Sequence, residues 1–374
     1  MPNSFTFRVG VLTGGGDCPG LNAVIRAVAK SLMRKHDAEI IGLRDGFQGL
    51  IEHQIQPLEY VDVSGILTRG GTILGASNKA NPFSYYRRGH ADVSAQAMKT
   101  YTSLGLDALV AIGGDGTMSI AHGLAEMGMN IVGVPKTIDN DLVGTDETFG
   151  FDTAVSIATD AMDRIHTTAQ SHHRVMVVET MGRYAGWIAL HAGAASGADV
   201  ILIPEIEFDA EEIARVCEER AEGGQRFTII SIAEGAKPKG GSMAIRERIE
   251  DSPDPLRLGG IGNQLAQDLK AQAESAVRTT ILGHVQRGGS PTAYDRNLST
   301  SFGAVAAKMV AGGQFGRMVA YQNGTFTSVG LSEVANKTRT VSRDNRLLQS
   351  ARALGTSFGV PDEQLDEQRD TAVE

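Results

Sequence analysis

Short apolar runs rich in β-branched residues alternate along the chain with longer amphipathic segments. The runs are FRVGVLT, ALVAIGG, NIVGVP, RVMVVET, VILIPE, FTIISIAE and RTTILGH, which begin at residues 7, 108, 130, 174, 200, 227 and 278. Their continuous hydrophobicity is typical of parallel strands that helices cover on both faces. The segments between them, such as LNAVIRAVAKSLMRK, repeat apolar residues every three to four positions, which predicts helices. The pattern therefore predicts an α/β fold with doubly wound, mainly parallel sheets.

Composition bounds the size and class of the protein. The chain has 374 residues, more than a single core normally supports, so we expect two domains. Its net charge of −9 argues against general nucleic-acid binding, because the phosphate backbone requires a basic surface. Cys18 and Cys217 lie far apart, and neither an apolar signal segment nor a run of about eighteen apolar residues occurs. We therefore expect a cytoplasmic protein with no membrane or nucleic-acid partner.

Glycine-rich and charged segments follow the predicted strands. In doubly wound sheets the ligand binds outside the carboxyl ends of the strands, where these segments would lie. The first, GGGDCPGLN at residues 14–22, leads into a predicted helix, so its amides and the helix N-terminus are placed to hold an anion. It lacks the G-x-G-x-x-G spacing of dinucleotide-binding loops, and the chain contains no G-K-[ST] sequence, which excludes a Walker A loop.

The second loop, IGGDGT at residues 112–117, places an acid among glycines. Gly113, Gly114 and Gly116 allow the backbone to approach a polyphosphate closely. Asp115 offers an oxygen ligand to a magnesium ion. Alternatively, the loop is a simple turn in which Asp115 caps the following helix. Two such loops at the ends of strands in one sheet favour phosphate binding.

Two further patterns leave alternatives open. The polar cluster KTIDND follows the run NIVGVP and is either a solvated turn or one wall of an active site. Two other strands are bracketed by arginines nine residues apart, Arg174 with Arg183 and Arg278 with Arg287. Nine extended residues span up to roughly 30 Å, so one arginine of each pair lies near the amino end of its strand. Arg174 and Arg278 are thus either surface charges or ligands to a phosphate held mainly by a second copy of the chain.

Taken together, the loops resemble those of the 6-phosphofructokinases, a family with ATP-dependent and pyrophosphate-dependent members. The resemblance runs from residue 7 to about residue 325 and rests on GGGDCPGLN, GGTILG, IGGDGT, PKTIDND, ETMGRYAG and RTTILGHVQRGGSPTAYDR, in that order. GGDGT alone also occurs in NAD kinases, whereas the later motifs do not. The resemblance implies the phosphofructokinase fold of two doubly wound, Rossmann-like domains. Residues 1–150 with about 286–335 would bind the nucleotide or other phosphoryl donor, and about 151–285 with 336–374 would bind the sugar phosphate.

The resemblance also implies roles for the residues of the donor side. Asp139 would be the general base that takes the proton from the 1-hydroxyl of fructose 6-phosphate, in the step of glycolysis that gives fructose 1,6-bisphosphate. Asp115 and Asp141 would serve the magnesium ion. The nucleotide phosphates would be held by Gly16 and by the loop residues Gly113, Gly114, Asp115, Gly116 and Thr117.

On the acceptor side, the resemblance implies a site shared between subunits. Thr137 and Arg183 would lie near the transferred phosphoryl group, and Met181, Gly182 and Glu234 would contact the sugar. The 6-phosphate would be held by His284 and Arg287 of one subunit and by Arg174 and Arg278 of its neighbour. A homo-oligomer, dimer or tetramer, is therefore expected.

Two positions point to different phosphoryl donors. Pyrophosphate-dependent members typically have a second aspartate at the position of Gly116, where its bulk and charge exclude the nucleotide α-phosphate. The same members have lysine at the position of Lys136, where bacterial ATP enzymes usually have glycine. The steric and like-charge argument at Gly116 favours ATP. Because Asn78 stands where many members have an arginine, Lys136, together with Lys79, is the candidate source of the missing positive charge.

Three other functions compete with ATP-dependent phosphorylation of fructose 6-phosphate. Pyrophosphate is the alternative donor, and sedoheptulose 7-phosphate or tagatose 6-phosphate is an alternative acceptor, because the same phosphate grip would hold it. A catalytically silent regulatory subunit is the alternative outside the enzymes. The presence of Asp115, Asp139, Asp141 and Arg183 argues against a silent subunit, which has no chemical need for them.

Overall fold

The computed structural model describes residues 7–248, 256–272 and 275–367. Its helices are α1 (Leu21–His36), α2 (Phe47–Glu52), α3 (Ser94–Ser103), α4 (Asp115–Glu126), α5 (Phe151–His172), α6 (Trp187–Ala195), α7 (Ala210–Glu222), α8 (Ile261–Lys270), α9 (Ala293–Ala311), α10 (Leu331–Val334), α11 (Arg346–Ala353) and α12 (Asp362–Glu367). Its strands are β1 (Phe7–Thr13), β2 (Ala38–Leu43), β3 (Ile55–Leu58), β4 (Ala108–Gly113), β5 (Ile131–Pro135), β6 (Val175–Thr180), β7 (Val200–Leu202), β8 (Thr228–Ala233), β9 (Ile245–Arg248), β10 (Leu256–Leu258), β11 (Val277–Ile281), β12 (Arg317–Gln322) and β13 (Thr325–Gly330). Short 3₁₀ helices span Tyr86–Arg88 and Gly283–Arg287.

The described residues form two compact units. The first unit comprises residues 7–153 and 287–338, and the second comprises 154–248, 256–272, 275–286 and 339–367. In the first unit, seven strands form one sheet in the order β13-β12-β5-β4-β1-β2-β3. The central pairs are parallel, whereas β2 with β3 and β12 with β13 are antiparallel. This sheet brings the ends of β1, β4 and β5 to the same edge.

Helices cover both faces of the first sheet. All residues of β4 and β5 are buried, as their uninterrupted apolar sequences require. On one face, α1 packs closely against α9. Gly303 of α9 lies so near Ala27 of α1 that a Cβ at Gly303 would be only 2.7 Å from the Cβ of Ala27. On the other face, side chains of α2, α3 and α4, including Phe47, Tyr101 and Leu124, join the core. The buried strands are thus a fixed platform for the loops that follow them.

The second unit contains a smaller sheet with parallel strands only, in the order β11-β6-β8-β7. Every residue of β6 and β8 is buried. Ile213 of α7 and Leu265 of α8 pack into the core of this sheet. A separate antiparallel pair, β9 with β10, belongs to the segment before α8.

The predicted fold class, α/β with doubly wound and mainly parallel sheets, is confirmed. The apolar pattern missed β2, β3 and the hairpin β12–β13, which form the antiparallel margins of the large sheet. The hairpin turns at Asn323 and Gly324, whose φ values are 50° and 79°. Asn-Gly between two strands is a strong hairpin signal, so the turn residues carried information that the hydrophobic pattern did not.

Candidate active site

The loops after β1, β4 and β5 lie side by side because these strands are parallel neighbours. Thr13 of β1 is in register with Ile112 of β4, and Gly113 of β4 is in register with Pro135 of β5. The chain therefore leaves all three strands at the same edge, directly into the segments that contain Gly16, Asp115 and Asp139. In doubly wound folds this edge is where ligands bind.

A cavity of about 530 Å³ opens at this edge within the first unit. It is lined by the predicted residues Gly16, Gly114, Asp115, Gly116, Thr117, Lys136, Thr137, Asp139, Asp141 and Arg287. Its remaining walls are formed by Gly15, Phe47, Ser77, Asn78, Ala80, Asn81, Phe83, Ser119, Ile120 and Asn336. Charged and backbone groups thus share one pocket with an apolar wall, a combination typical of small-molecule sites.

The N-terminus of α4 contributes to this cavity. The helix begins at Asp115, and its N-cap residue is Gly114, so Asp115 is not the cap that the alternative interpretation required. No side chain caps this end, which leaves the amides of the first turn available to an anion. A Cβ at Gly116 would meet nothing within 4 Å, whereas one at Gly113 would lie 2.2 Å from the hydroxyl of Thr117. Gly113 is therefore required by close packing, and Gly116 leaves open space.

The segment after β5 turns sharply between its two acids. Asn140 has a φ of 51°, a left-handed conformation that asparagine tolerates better than most residues. Its side-chain oxygen accepts a hydrogen bond of 3.0 Å from the Thr148 amide, and the Thr148 hydroxyl donates to the Thr137 carbonyl at 2.8 Å. The Thr137 hydroxyl in turn accepts from the Asp139 amide at 3.0 Å. These bonds fix the backbone around Asp139.

Three carboxylates influence one another in this cavity. Burial, together with the charges of Asp139 and Asp115, raises the pKa of Asp141 to about 7. A cation bound between these acids would remove that repulsion. Across the described residues, His, Cys, Asp and Glu side chains form no group of three or more that could hold a metal ion by themselves. Mg²⁺ usually binds through one or two carboxylates, waters and substrate phosphates, so this donor set still fits it.

Lys136 and Arg287 bring positive charge to the same cavity. Lys136 is buried, which lowers the pKa of its amine, and its Nζ donates to the carbonyl of Gly16. The guanidinium of Arg287 lies over the loop that contains Gly16. A Cβ at Gly16 would be 3.0 Å from this guanidinium. Its Nη1 donates to the carbonyl of Asp17 at 3.3 Å. Both cations therefore neighbour the first glycine-rich loop.

In the second unit, four predicted residues lie at the adjacent ends of β6 and β8. The Glu234 amide donates to the Thr180 carbonyl at 2.9 Å, and the Gly235 amide donates to the Gly182 carbonyl at 3.0 Å. Gly182 has a φ of 132°, which disfavours any other residue there. Met181 and Arg183 flank it and are partly buried.

Of the other predicted residues of the second unit, Arg278 and His284 are exposed, whereas Arg174 is partly buried. Arg278 is exposed on β11, beside Met176 of β6, and its Nη1 donates to the Val277 carbonyl at 3.0 Å. Arg174 directly precedes β6, at the opposite end from Arg183. His284 is exposed in the 3₁₀ helix that follows β11. The arginines of each pair thus flank their strands as the spacing predicted.

Comparison with known sequences adds to this geometry. The sequence profile described as Phosphofructokinase matches residues 8–310. The chain belongs to the phosphofructokinase family.

Relatives of two kinds occur at similar distances within the phosphofructokinase family. A protein of Clostridium perfringens named ATP-dependent 6-phosphofructokinase 2 is 49% identical over 94% of this chain and 98% of its own. A protein of Amycolatopsis mediterranei named pyrophosphate–fructose 6-phosphate 1-phosphotransferase is 51% identical over 89% of this chain and 96% of its own. Overall identity to these phosphofructokinases does not separate the two donors.

A solved structure supports the same fold. The phosphofructokinase of Saccharomyces cerevisiae aligns with a TM-score of 0.74 and 30% identity, over 96% of this chain and 47% of the yeast chain. The chain therefore spans about half the length of that yeast protein. The resemblance stated from the sequence motifs, and the phosphotransferase class that it implied, are confirmed.

Sequence reasoning about the phosphofructokinase motifs missed the apolar wall of the cavity. Phe47, Phe83 and Ile120 belong to no motif, and Asn336 comes from far along the chain. Asn336 is held by Ser119, whose hydroxyl donates to its side-chain oxygen at 3.2 Å. Phe83 and Ile120 follow the motifs GGTILG and IGGDGT within a few residues, so a search for cavity walls could have started there.

Two general features bear on the sequence expectations. Both cysteines are buried free thiols, and burial raises the pKa of each, which makes them poor nucleophiles. Over the part of the chain that the structure describes, no helix has the length and apolar character needed to cross a bilayer.

Proposed function

We propose that the protein transfers the γ-phosphoryl group of ATP to the 1-hydroxyl of fructose 6-phosphate. The observation that carries the choice of donor is the cavity of about 530 Å³, whose apolar wall adjoins the phosphate-suited loops. Phe83 and Ile120, both only partly buried, offer an apolar surface for a nucleoside, which pyrophosphate does not have. The open space at Gly116 leaves room for the nucleotide α-phosphate. Relatives named as ATP-dependent 6-phosphofructokinases are consistent with this reaction.

Each group in the cavity has a role in this proposal. Asp139 accepts the proton of the attacking hydroxyl, a modest task for phosphoryl transfer, in which positioning and charge neutralisation dominate. Gly16 and the first turn of α4, with Gly113 to Thr117, hold the nucleotide phosphates. Lys136 and Thr137 neutralise and orient the transferred group. The first unit is then the donor domain.

Magnesium is the proposed metal. Asp115 and Asp141 would hold it with the phosphates and water, and the ion would neutralise the charge that accumulates on the transferred phosphoryl group. The raised pKa of Asp141 supports a site that is completed by a cation. Asp139 then remains available for proton transfer.

The second unit is the proposed sugar-phosphate domain. Met181, Gly182 and Glu234 would contact the sugar, with Arg183 near the phosphoryl group and His284 and Arg287 at the 6-phosphate. We propose that Arg174 and Arg278 serve a neighbouring copy in a cytoplasmic homo-oligomer. Among the described residues β11 is an edge strand of its sheet, and Ile281 and the nearby Val285 are 49% and 61% exposed, which supports this proposal. Large exposed apolar side chains beside an edge strand are typical of interfaces.

The experiment that tests the function offers ATP and pyrophosphate separately to the purified protein with fructose 6-phosphate and Mg²⁺. We expect turnover with ATP and at most a small fraction of that rate with pyrophosphate. Faster turnover with pyrophosphate would replace ATP by the second candidate donor, which the presence of Lys136 and the pyrophosphate-dependent relatives favour. No turnover with either would contradict the kinase assignment. Sedoheptulose 7-phosphate and tagatose 6-phosphate, offered as competitors, test the choice of acceptor.

A further inference from the structure

Asp295 is a fully buried carboxylate in the first turn of α9, outside the cavity. Its Oδ1 accepts a hydrogen bond of 2.9 Å from the Gly150 amide, and its Oδ2 accepts one of 2.8 Å from the Thr153 amide. The Thr153 hydroxyl also donates to Oδ2. A buried charge is costly unless such bonds compensate it, so the arrangement needs all of these donors.

These donors lie at the start of α5. The helix begins directly after Gly150, which has a φ of 94° and no side chain to act as a cap. A side chain cannot be added there, because a Cβ would lie 2.7 Å from the Cys18 sulfur. Asp295 accepts from amides at this end of α5 and so caps it from a distant part of the chain. Asp295 is not needed for capping its own helix, since the Thr292 hydroxyl accepts from the Asp295 amide as the N-cap of α9.

The capped backbone continues directly into the segment that contains the cavity acids. Phe149, next to Gly150, pairs with Lys136 in a parallel bridge. The Thr148 hydroxyl donates to the Thr137 carbonyl at 2.8 Å, and the Thr148 amide donates to the side-chain oxygen of Asn140 at 3.0 Å. A short series of hydrogen bonds to backbone groups therefore connects the Asp295 carboxylate with the residues on either side of Asp139.

Thr292, just before α9, ties a second segment to this point. The Thr292 amide donates to the Thr153 hydroxyl at 3.1 Å, and the Thr292 hydroxyl donates to Asp152 at 2.6 Å. The chain between Arg287 and Thr292 leads from the cavity into α9. The start of α9 and the start of α5 are thus held together around one buried charge.

We propose that Asp295 is a positioning residue for phosphoryl transfer, which holds the segment of residues 137–150 so that Asp139 meets the acceptor hydroxyl. This inference rests on the proposed function, in which Asp139 is the base. Asp295 does not contact the glycine loop at Gly113 to Thr117, so it acts on the alignment of the base and not on nucleotide binding. A misplacement of about 1 Å in a reacting group can cost roughly 100-fold in rate.

The test compares Asp295→Asn with Asp160→Asn, an exposed α5 carboxylate that forms a surface ion pair with Arg164. Asparagine has nearly the same volume as aspartate. Its NH₂ group cannot accept a hydrogen bond, so either the Gly150 amide or the donors of Thr153 would lose their acceptor. We expect kcat, corrected for the concentration of ATP-binding sites, to fall roughly 10- to 100-fold, while KM for ATP stays within about twofold of wild type. The control variant should match wild type. A purely structural role would lower the folded fraction or the Tm but leave the corrected kcat at the wild-type value, which would overturn the proposal.

Should Asp295→Asn not fold, Thr153 carries the same test. Thr153→Ala removes only the hydroxyl donor and should lower the corrected kcat several-fold, and Thr153→Ser should restore it. Equal kcat in both variants would contradict the link.

Amide hydrogen exchange separates this inference from the proposed function. In Asp295→Asn, or in Thr153→Ala, the amides of residues 137–150 should exchange faster, while those of α4 should not change. Unchanged exchange at 137–150 would refute the positioning link whether or not the wild type phosphorylates fructose 6-phosphate. Faster exchange with an inactive wild type would place the failure in the proposed function alone.

Discussion

The ends of β4 and β5 in the first unit differ from the ends of β6 and β11 in the second. Around the first pair, Lys136 and Asn140 are buried and bonded to their own chain. Around the second pair, Arg278 and His284 are exposed. The proposed donor side is thus preorganised within one chain, whereas Arg278 and His284 on the proposed sugar-phosphate side remain in solvent. Preorganised groups act on the rate, and groups ordered by the ligand act on its affinity.

The largest effect expected from this difference is the loss of the base on the preorganised side. Asp139→Asn keeps the shape of the side chain but cannot accept the proton, so kcat should fall by roughly 10²- to 10⁴-fold. KM for ATP should change little, because the glycine loops, and not Asp139, are proposed to bind the phosphates. Steady-state kinetics with varied ATP and fructose 6-phosphate measure both.

Asp141→Asn is the matched control for that variant. It removes the other partly buried acid of the same segment, so it should raise the Mg²⁺ concentration needed for half-maximal rate, and excess Mg²⁺ should partly restore turnover. If excess Mg²⁺ rescued Asp139→Asn equally well, the two acids would have no separate roles.

Loss of the buried cation is expected to have the next largest effect. Lys136→Met preserves the apolar stem and removes the charge proposed to replace the arginine absent at Asn78. We expect kcat to fall roughly 100-fold, the effect of removing one group that stabilises charge in a transition state. Lys79→Met, a partly buried lysine near the same cavity, should cost far less. Nearly unchanged turnover in Lys136→Met would refute the charge compensation.

An added charge at the cavity mouth should discriminate between donors. Gly116 is exposed and a side chain there meets open space, so Gly116→Asp should fold normally. A new carboxylate there would repel the α-phosphate; two unit charges roughly 8 Å apart at an effective dielectric constant of about 20 repel by about 2 kcal/mol, which corresponds to a loss of roughly 30-fold in kcat/KM for ATP. Gly116→Ala separates size from charge and should stay near wild type. An equal loss with ATP and pyrophosphate would remove the argument from Gly116.

The same contrast explains how much the sequence could predict. β4 and β5 were predictable because a strand covered on both faces must be continuously apolar, and their loops were predictable because glycines and acids at strand ends have few other uses. Phe47 and Asn336 were not predictable as cavity residues, because only the fold brings them to this edge. Asp295 stood inside a recognised motif, yet its partners, Gly150 and Thr153, lie more than 140 residues away. Long-range capping of this kind leaves no local pattern.

The smallest effect is expected from the loss of Arg278, whose side chain is exposed to solvent. Its guanidinium donates to the backbone carbonyl of Val277. Arg278→Ala should therefore leave the Tm and kcat nearly unchanged. A charge-assisted bond to phosphate contributes about 1.5 kcal/mol or more, so KM for fructose 6-phosphate should rise roughly tenfold. Arg226→Ala, an exposed arginine of the same unit, is the matched control.

The oligomer decides what the Arg278 result means. If Arg278 reaches the site of a neighbouring copy, mixed oligomers of Arg278→Ala and Asp139→Asn subunits should contain some sites with both residues intact, and activity should exceed that of either variant alone at low fructose 6-phosphate. If Arg278 serves its own subunit, every site in the mixture lacks one residue and no such gain can occur. Activity after dissociation and reassociation of the two variants, compared with each treated alone, separates the two arrangements. Absence of the gain in a verified mixed oligomer would break the contrast between a donor side built by one chain and a sugar-phosphate side completed by two.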